Sequence, residues 1–490
     1  MNRQKVISAT VTLGLFQGLG RGLDLLGTLL VARIIAPEAF GIVAAALIVL
    51  QLSQSLTELN INDALVQRTD LHLSDYHSAF TISLARGLLI TLGMTAAAYP
   101  LAVSLENVEI APVVAGLSLA PLIQSLRSPK TAEYLRRVEP MIPAAVDFAG
   151  RLVGFLAMLA IAVFTGSYWS IVVGIVVGAT LATVLSYFIA PYIPSISIKQ
   201  AKWIFSFSGW LNLFTITNAG IAQFDRYFLG NRLGTSILGI YTVATSIASQ
   251  LVWSLAAPIM NALFAGLSNV KHDAPRLKAG FLLAQSVIAA VMMPLGIGLA
   301  LVAADFVYLL LGPDWSLAAV VISIVAPATA LHMLTVGAHA SAMALGRTRS
   351  LFIRNLIAFA FNIPLVIFAT IHFELIGASV ARAATIVIVV LLNLQLARQL
   401  VGASYVEQLR NSLRTILSCV LMVAAVFALR AYWQAYEQLG EVWKIASVAG
   451  VGGSVYVVTH LALWALQGRP DGLEATLLGM VRRPAAKPES

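Results

Sequence analysis

The chain has 490 residues, of which 59% are hydrophobic and only 11% are charged. Soluble domains carry about 25% charged residues, so this composition excludes a soluble globular protein and predicts a polytopic membrane protein. The net charge of +9 does not indicate nucleic-acid binding, because the basic residues fall in short clusters between apolar segments.

About fourteen apolar segments follow one another along the chain, each close to or above the ~20 residues that a helix needs to cross a bilayer. The segments lack the alternating pattern of a β-barrel, so the predicted fold is all-α. The first is a retained helix rather than a signal peptide, because it is too long and contains charges. The segments are 7–35, 38–60, 76–101, 108–126, 141–164, 167–190, 204–233, 236–262, 279–303, 315–343, 352–371, 375–397, 413–432 and 442–466.

Loop charges predict the orientation of these segments. Most of the 31 basic residues fall in loops on one side, whereas the other side has only Arg33, Arg232, Arg430 and Lys444. The positive-inside rule therefore places both termini in the cytoplasm, which requires an even number of spans.

An internal repeat divides the chain. Residues 32–43 resemble residues 230–241, so that Gly41 corresponds to Gly239, each at the start of an even-numbered helix. Parallel repeats of this kind usually bind substrate between their halves. We expect an N-terminal six-helix bundle over 1–200, a C-terminal six-helix bundle over 201–400, two additional transmembrane helices over 401–466 and a cytoplasmic tail over 467–490.

The first helix carries charges at membrane depth. Arg21 and Asp24 lie in its middle, where each charge costs at least about 2.5–3.5 kcal/mol on insertion scales. They either pair with each other or belong to a polar stripe that faces a water-filled cavity, where Arg21 would meet an anionic substrate group. Another face carries Gly14, Gly18 and Gly22, a spacing that favours close approach of a second helix.

The seventh segment is the repeat mate of the first. It carries Asn218, Asp225 and Arg226, for which both cavity-facing and structural roles are open. Asp225 and Arg226 are adjacent, so they point to different faces of the helix. Arg226 is also near enough to the outer end to snorkel to the interface.

Further ionisable residues lie inside other segments. Arg86 has no partner nearby in sequence, so its partner must be another helix or the substrate. Asp147 and Arg151 are four residues apart, which favours a local structural pair. His332 and His339 share a helix face, and either a proton relay or two satisfied buried histidines fits that spacing. Arg382 completes the set of buried cations.

Catalytic and cofactor motifs are missing from the sequence. It contains no phosphate-binding loop, HExxH or GxSxG motif, and its only cysteine, Cys419, excludes a disulfide or thiolate metal site. We therefore predict a non-enzyme without cofactor or metal, driven by an ion gradient, the membrane potential or the substrate gradient.

Several segments together resemble the polysaccharide transporter branch of the MOP superfamily. They are LLVARIIAPEAFGIV at 29–43, ALVQRTDLHLSDYHSAF at 64–80, FDRYFLG at 224–230 with LGIY at 238–241, GLSNVKHD at 266–273, PLGIGLA at 294–300 and LGPDW at 311–315. Each motif is weak alone, but they follow in order at matching topological places. They cover the first ten helices.

The resemblance implies two six-helix bundles around a V-shaped cavity with alternating access. It also implies a Wzx-type flippase of the bacterial inner membrane, which moves an oligosaccharide on undecaprenyl pyrophosphate for exopolysaccharide, O-antigen or lipopolysaccharide synthesis. Expected partners are this lipid-linked oligosaccharide, membrane lipids, H⁺ or Na⁺ as coupling ion, and a polymerase or glycosyltransferase. Because arginine suits bidentate phosphate contacts, the candidate substrate-binding residues are polar or charged side chains of helices 1, 3 and 7. They are Arg21, Asp24, Arg86, Asn218, Asp225 and Arg226.

Three other functions compete with this one. An ion-coupled exporter of small cations, as in the MATE branch, would favour carboxylates over arginines in its cavity. A lipid II flippase is a near relative whose second-half motifs are less similar. A scaffold or glycosyltransferase partner without transport would not need a paired repeat with buried ions.

Overall fold

The computed structural model describes residues 3–57, 61, 65–66, 71–137, 139–199, 209–269, 273–433 and 436–468. These residues form helices and short connections, and no β-strand occurs among them. The prediction of an all-α membrane fold is therefore confirmed.

We number the α-helices in chain order. They are α1 Arg3–Ile34, α2 Pro37–Leu56, α3 Leu73–Ser104, α4 Ile110–Leu117, α5 Leu119–Ser125, α6 Ala132–Arg136, α7 Met141–Thr165, α8 Trp169–Ile189, α9 Gly209–Asn269, α10 Ala274–Leu301, α11 Ala303–Leu310, α12 Ser316–Met333, α13 Val336–Ala344, α14 Thr348–Val401, α15 Tyr405–Tyr432 and α16 Glu441–Leu466. Short 3₁₀ turns cover Pro129–Thr131, Pro313–Trp315 and Tyr436–Gln438.

Two of these helices each contain two predicted spans. Helix α9 is interrupted at Gly234, whose φ of 85° is readily adopted only by glycine. Helix α14 is interrupted at Glu374, with φ 49° and ψ −130°. Both breaks fall where the hydropathy pattern predicts a turn between two spans.

Among the described residues, ten helices are long and apolar enough to cross a membrane. The number becomes eleven if the bent pair 110–125 and 129–136 forms one broken span. This establishes a multi-pass membrane protein, whereas the count of fourteen spans stays a prediction.

The chain forms two compact units. Unit 1 comprises residues 1–250, 310–318 and 355–381, and unit 2 comprises residues 251–309, 319–354 and 382–490. The predicted bundle boundaries at residues 200 and 400 stay a prediction.

In unit 1, α7 and α8 cross through four glycines. Gly150 and Gly154 on α7 face Gly178 and Gly174 on α8, and a Cβ added at Gly154 would stand 2.6 Å from the carbonyl oxygen of Gly174. Both helices therefore carry the small-xxx-small spacing that lets backbones approach closely in a membrane.

A second close contact in unit 1 joins the two copies of the repeat. A Cβ added at Gly41 on α2 would collide with the carbonyl oxygen of Thr235 on α9, and one added at Gly239 would collide with that of Pro37. These collisions are reciprocal, because Pro37 and Thr235 occupy corresponding positions of the repeat. The aligned glycines thus pack against each other's helix.

In unit 2, α15 and α16 pack along α10. Lys278 pairs with Glu407 at 2.7 Å near one end of α10, and the Tyr456 hydroxyl donates to the carbonyl oxygen of Ala290 at 2.6 Å near its middle. Beyond the other end, Arg430 lies 3.6 Å from Asp305, and burial raises the pKa of this carboxyl group. The last two helices are therefore fixed to the unit along the whole length of α10.

Candidate functional site

A large cavity of about 690 Å³ lies in unit 1 between α1, α2, α7, α8 and the second half of α9. Apolar side chains such as Phe40, Phe155 and Met158 form part of its wall. Polar side chains, including Gln51 and Gln250, form another part. This mixture of apolar walls and convergent polar groups is typical of ligand sites.

Two ion pairs line this large cavity. Nη1 of Arg151 on α7 donates to Oδ2 of Asp24 on α1 at 2.7 Å. Nη1 of Arg127, which follows α5, donates to Oδ1 of Asp147 at 2.5 Å. All four side chains are at least 29% exposed, so the charges face an open space rather than a sealed core.

These pairs correct one prediction from the sequence. Asp147 and Arg151 do not form the local pair that their spacing favours, because each finds a partner on another element. The two Asp–Arg bonds instead link α7 to α1 and to the segment after α5. Asp147 and Arg151 therefore belong to the cavity wall.

The predicted glycine face of α1 is also wrong within the described residues. Gly18 and Gly22 have open space where a Cβ would lie, whereas Gly20 approaches Arg151 and Gly27 approaches Met158 and Phe155. Helix α1 packs on α7 through the face that carries Asp24, because that face holds the ion pair. The small residues at Gly18 and Gly22 lie elsewhere on the helix.

Arg21 lies one turn before Asp24 and is half-buried. The residues of α1 that line the large cavity begin at Leu23. The structure therefore places Asp24 in the cavity wall and Arg21 next to it.

The three candidates on α9 are not among the described residues that line the large cavity. Asn218 is exposed, and Asp225 is fully buried, where it accepts a hydrogen bond from the Tyr241 hydroxyl at 3.5 Å. Nη1 of Arg226 donates to Gln223 at 3.4 Å, and Gln223 in turn donates to Gln51 of the cavity wall at 2.6 Å. Arg226 thus connects to the large cavity through two glutamines.

A small cavity of about 360 Å³ lies in the same unit and contains Arg86. Arg86 donates to the hydroxyl of Thr57 at 3.2 Å and to the carbonyl oxygen of Gln54 at 3.1 Å, both on or next to the end of α2. Of the two expected partners, another helix or the substrate, these contacts are with another helix. Gln124 and Arg127 line both cavities.

Unit 2 holds the two histidines of the predicted relay. The ring of His332 lies edge-on to Trp253, with 6.4 Å between the ring centres. In the described part of the chain, no group of three or more His, Cys, Asp or Glu side chains is placed to hold a metal ion. The relay stays a prediction.

The sequence-based candidates omitted Arg127, Asp147 and Arg151. Arg127 lies in a predicted loop, where a basic residue is interpreted as a signal of membrane orientation. The spacing of Asp147 and Arg151 favours a local pair. A signal for them exists in the glycines at 150 and 154, which bring α7 against its neighbours and leave its charged face toward the cavity.

Comparison with known proteins identifies the family. The model of the polysaccharide biosynthesis protein family matches residues 30–320, which is more than half of the chain. An uncharacterized membrane protein in the cps region of Klebsiella pneumoniae is 21% identical over 467 residues, 94% of each chain. The lipopolysaccharide biosynthesis protein WzxC of Escherichia coli K12 is 23% identical, over 64% of this chain. The succinoglycan biosynthesis transport protein ExoT of Rhizobium meliloti is 26% identical, over 62% of this chain. The chain spans slightly less than two thirds of these last two relatives, at 65% and 62% of their lengths.

Solved structures show the same fold. An inward closed conformation of the lipid II flippase MurJ matches with a TM-score of 0.76 at 14% identity, over 94% of this chain and 100% of that chain. The Vibrio cholerae MATE transporter VcmN matches with a TM-score of 0.55 at 11% identity, over 83% of this chain and 100% of that chain. Because both identities are low, these matches establish the MurJ- and MATE-like architecture alone. The chain is a multi-pass helical membrane protein that belongs to the polysaccharide biosynthesis protein family.

Proposed function

We propose that this protein is a flippase that moves a lipid-linked oligosaccharide unit across the bacterial inner membrane. The unit carries pyrophosphate and serves the synthesis of exopolysaccharide, O-antigen or lipopolysaccharide. Transport is by alternating access without covalent chemistry. The named transport and biosynthesis functions of WzxC and ExoT support this proposal.

The observation that carries the proposal is the pair of exposed Asp–Arg contacts in the large cavity. Charged side chains are expensive inside membrane spans and are retained where they face a water-filled cavity or a polar substrate. A diphosphate-sugar head cannot cross hydrocarbon, so it needs such a path. The apolar wall around Phe155 and Met158 accompanies the charged groups.

The chemistry of the ion pairs suits reversible anion binding. Arg127 and Arg151 each have five N–H donors in a fork that matches a phosphate. Asp147 and Asp24 occupy part of each fork and act as exchangeable counterions. An incoming diphosphate competes with the carboxylates, and H⁺ or Na⁺ at either carboxylate would release its arginine for the substrate.

Both termini face the cytoplasm in this proposal. The substrate head enters from that side, where glycosyltransferases build it, and leaves toward a polymerase on the outer side. Membrane lipids surround the helices.

The test is a chromosomal deletion with complementation. We expect the deletion strain to lose one surface or secreted polysaccharide and to accumulate its lipid-linked unit, measured by thin-layer chromatography of extracted lipids. The wild-type chain should restore the polysaccharide and remove the accumulated unit, whereas a wild-type chain that leaves the accumulated unit unchanged would refute the proposal.

The same strains separate the alternatives. A lipid II flippase would rescue cells depleted of their own lipid II flippase, and a cation exporter would change resistance to cationic drugs. The proposal requires that neither effect is seen while polysaccharide export is restored.

A further inference from the structure

The small cavity is chemically different from the large one. It lies between the end of α2, the middle of α3, the end of α5 and the Pro129 turn. This is the end of unit 1 that the loop charges predict to be cytoplasmic. Its volume of about 360 Å³ falls within the range of small-molecule sites.

The charged groups in its lining are cationic. Among the described residues, the only charged groups that line it are the guanidinium groups of Arg86 and Arg127, and no carboxylate is present. Ser83 also lines it, whereas the hydroxyl groups of Ser128 and Thr131 donate to the backbone carbonyl oxygens of Ala190 and Ser128. The large cavity, in contrast, balances two arginines with two aspartates.

Arg127 forms part of both walls. Asp147 accepts a hydrogen bond from Nη1 on the side of the large cavity. Nε of Arg127 is buried and has no hydrogen-bond partner among the residues that the structure describes. A buried donor without a partner is costly, and an anion bound by Arg127 would offer it one.

Arg86 is held in position by backbone and side-chain contacts. Its hydrogen bonds to Thr57 and Gln54 fix the guanidinium against the end of α2. A fixed guanidinium loses less entropy when it binds phosphate than a mobile one does.

We propose that the small cavity is a separate anion subsite that binds a diphosphate group before it reaches the large cavity. Arg86 forms the first contact. Arg127 then shifts its hydrogen bonds between the diphosphate and Asp147 as the head moves inward. This inference rests on the proposed function, because the diphosphate is that of the lipid-linked unit.

The test measures binding of inorganic pyrophosphate to the purified full-length protein by isothermal titration calorimetry. Arg86→Gln should weaken binding about tenfold or more, because it removes a charge-assisted contact. Ser83→Phe fills the small cavity without changing a charge and should weaken binding to a similar extent. Affinity should also fall with added salt.

Matched controls assign the site. Arg137→Gln changes a guanidinium that is 66% exposed and pairs within its own turn, so it should keep the wild-type affinity within about twofold. Wild-type affinity in Ser83→Phe together with its loss in Arg151→Gln would place the anion in the large cavity and overturn the proposal. So would the absence of pyrophosphate binding to the wild-type protein.

Phospholipid headgroups are the other source of phosphate. Nanodiscs with excess phosphatidylglycerol should leave pyrophosphate affinity within about twofold, because a diester carries one charge and diphosphate carries more. Abolished binding in those nanodiscs would assign the cavity to lipid and overturn the proposal.

Export measurements separate this inference from the proposed function. If Ser83→Phe abolishes pyrophosphate binding but exports normally, the subsite is not a transport step and the flippase function stands. If the deletion strain exports normally while the wild-type protein binds pyrophosphate through Arg86, the flippase function fails and the subsite stands.

Discussion

At the scale of single residues, Arg151 offers a direct test of binding against structure. Its pair with Asp24 has both side chains 49% exposed, and exposed pairs contribute about 0–1 kcal/mol to stability. We expect Arg151→Gln to leave the thermal unfolding temperature in detergent almost unchanged while export in the deletion strain falls. Strong destabilisation with no specific export defect would show that the pair is structural.

Arg21 gives a second prediction. Lysine keeps its charge but loses the bidentate fork, so Arg21→Lys should impair export partly and Arg21→Ala more strongly. Asp24 keeps Arg151 as a partner, so Arg21→Ala should still express well, alone or with Asp24→Asn. Full export by a well-expressed Arg21→Ala protein would exclude a role in substrate binding.

At this scale the sequence could predict which spans carry charges but not which charges meet. Hydropathy makes Arg86, Asp24 and Arg151 conspicuous. Their partners depend on how helices pack, and Arg151 lies 127 positions from Asp24. Local spacing therefore favoured the wrong partner for Arg151.

At the scale of helices, the crossing of α7 and α8 depends on glycines, which have no side chain to keep the two backbones apart. We expect Gly154→Ala to destabilise the protein by about 1–3 kcal/mol, because the added Cβ would stand 2.6 Å from the carbonyl oxygen of Gly174. The measurement is the thermal unfolding temperature in detergent, together with the yield of monodisperse protein.

Gly93→Ala is the matched control on α3. A Cβ there meets nothing within 4 Å, and alanine is about 0.8–1.0 kcal/mol more favourable than glycine in a helix. We therefore expect the two substitutions to have opposite signs. Equal effects of Gly154→Ala and Gly93→Ala would mean that the crossing is not tightly packed.

Helix positions were the most predictable feature, because hydropathy is a local property of the sequence. Breaks inside α9 and α14 were also predictable from short polar interruptions. The packing faces of the helices could not be predicted, because glycines occur on both open and buried surfaces. Gly18 faces open space, whereas Gly154 meets a helix.

At the scale of the whole molecule, the loop charges predict orientation. Reporter fusions after Gln467 and within the loop at 127–140 should both report a cytoplasmic location. Fusions in the connection after Tyr432 should report the periplasm and serve as the control. A periplasmic signal from either of the first two would refute the topology.

The reciprocal contact between Gly41 and Gly239 ties the two copies of the repeat to each other. After a duplication, equivalent positions are normally free to diverge independently. Here a side chain gained in one copy would collide with the backbone of the other, at Thr235 or at Pro37. The backbone of each copy therefore limits which residues the other copy can accept. A larger residue at Gly41 or Gly239 requires a shift of the helices that carry them.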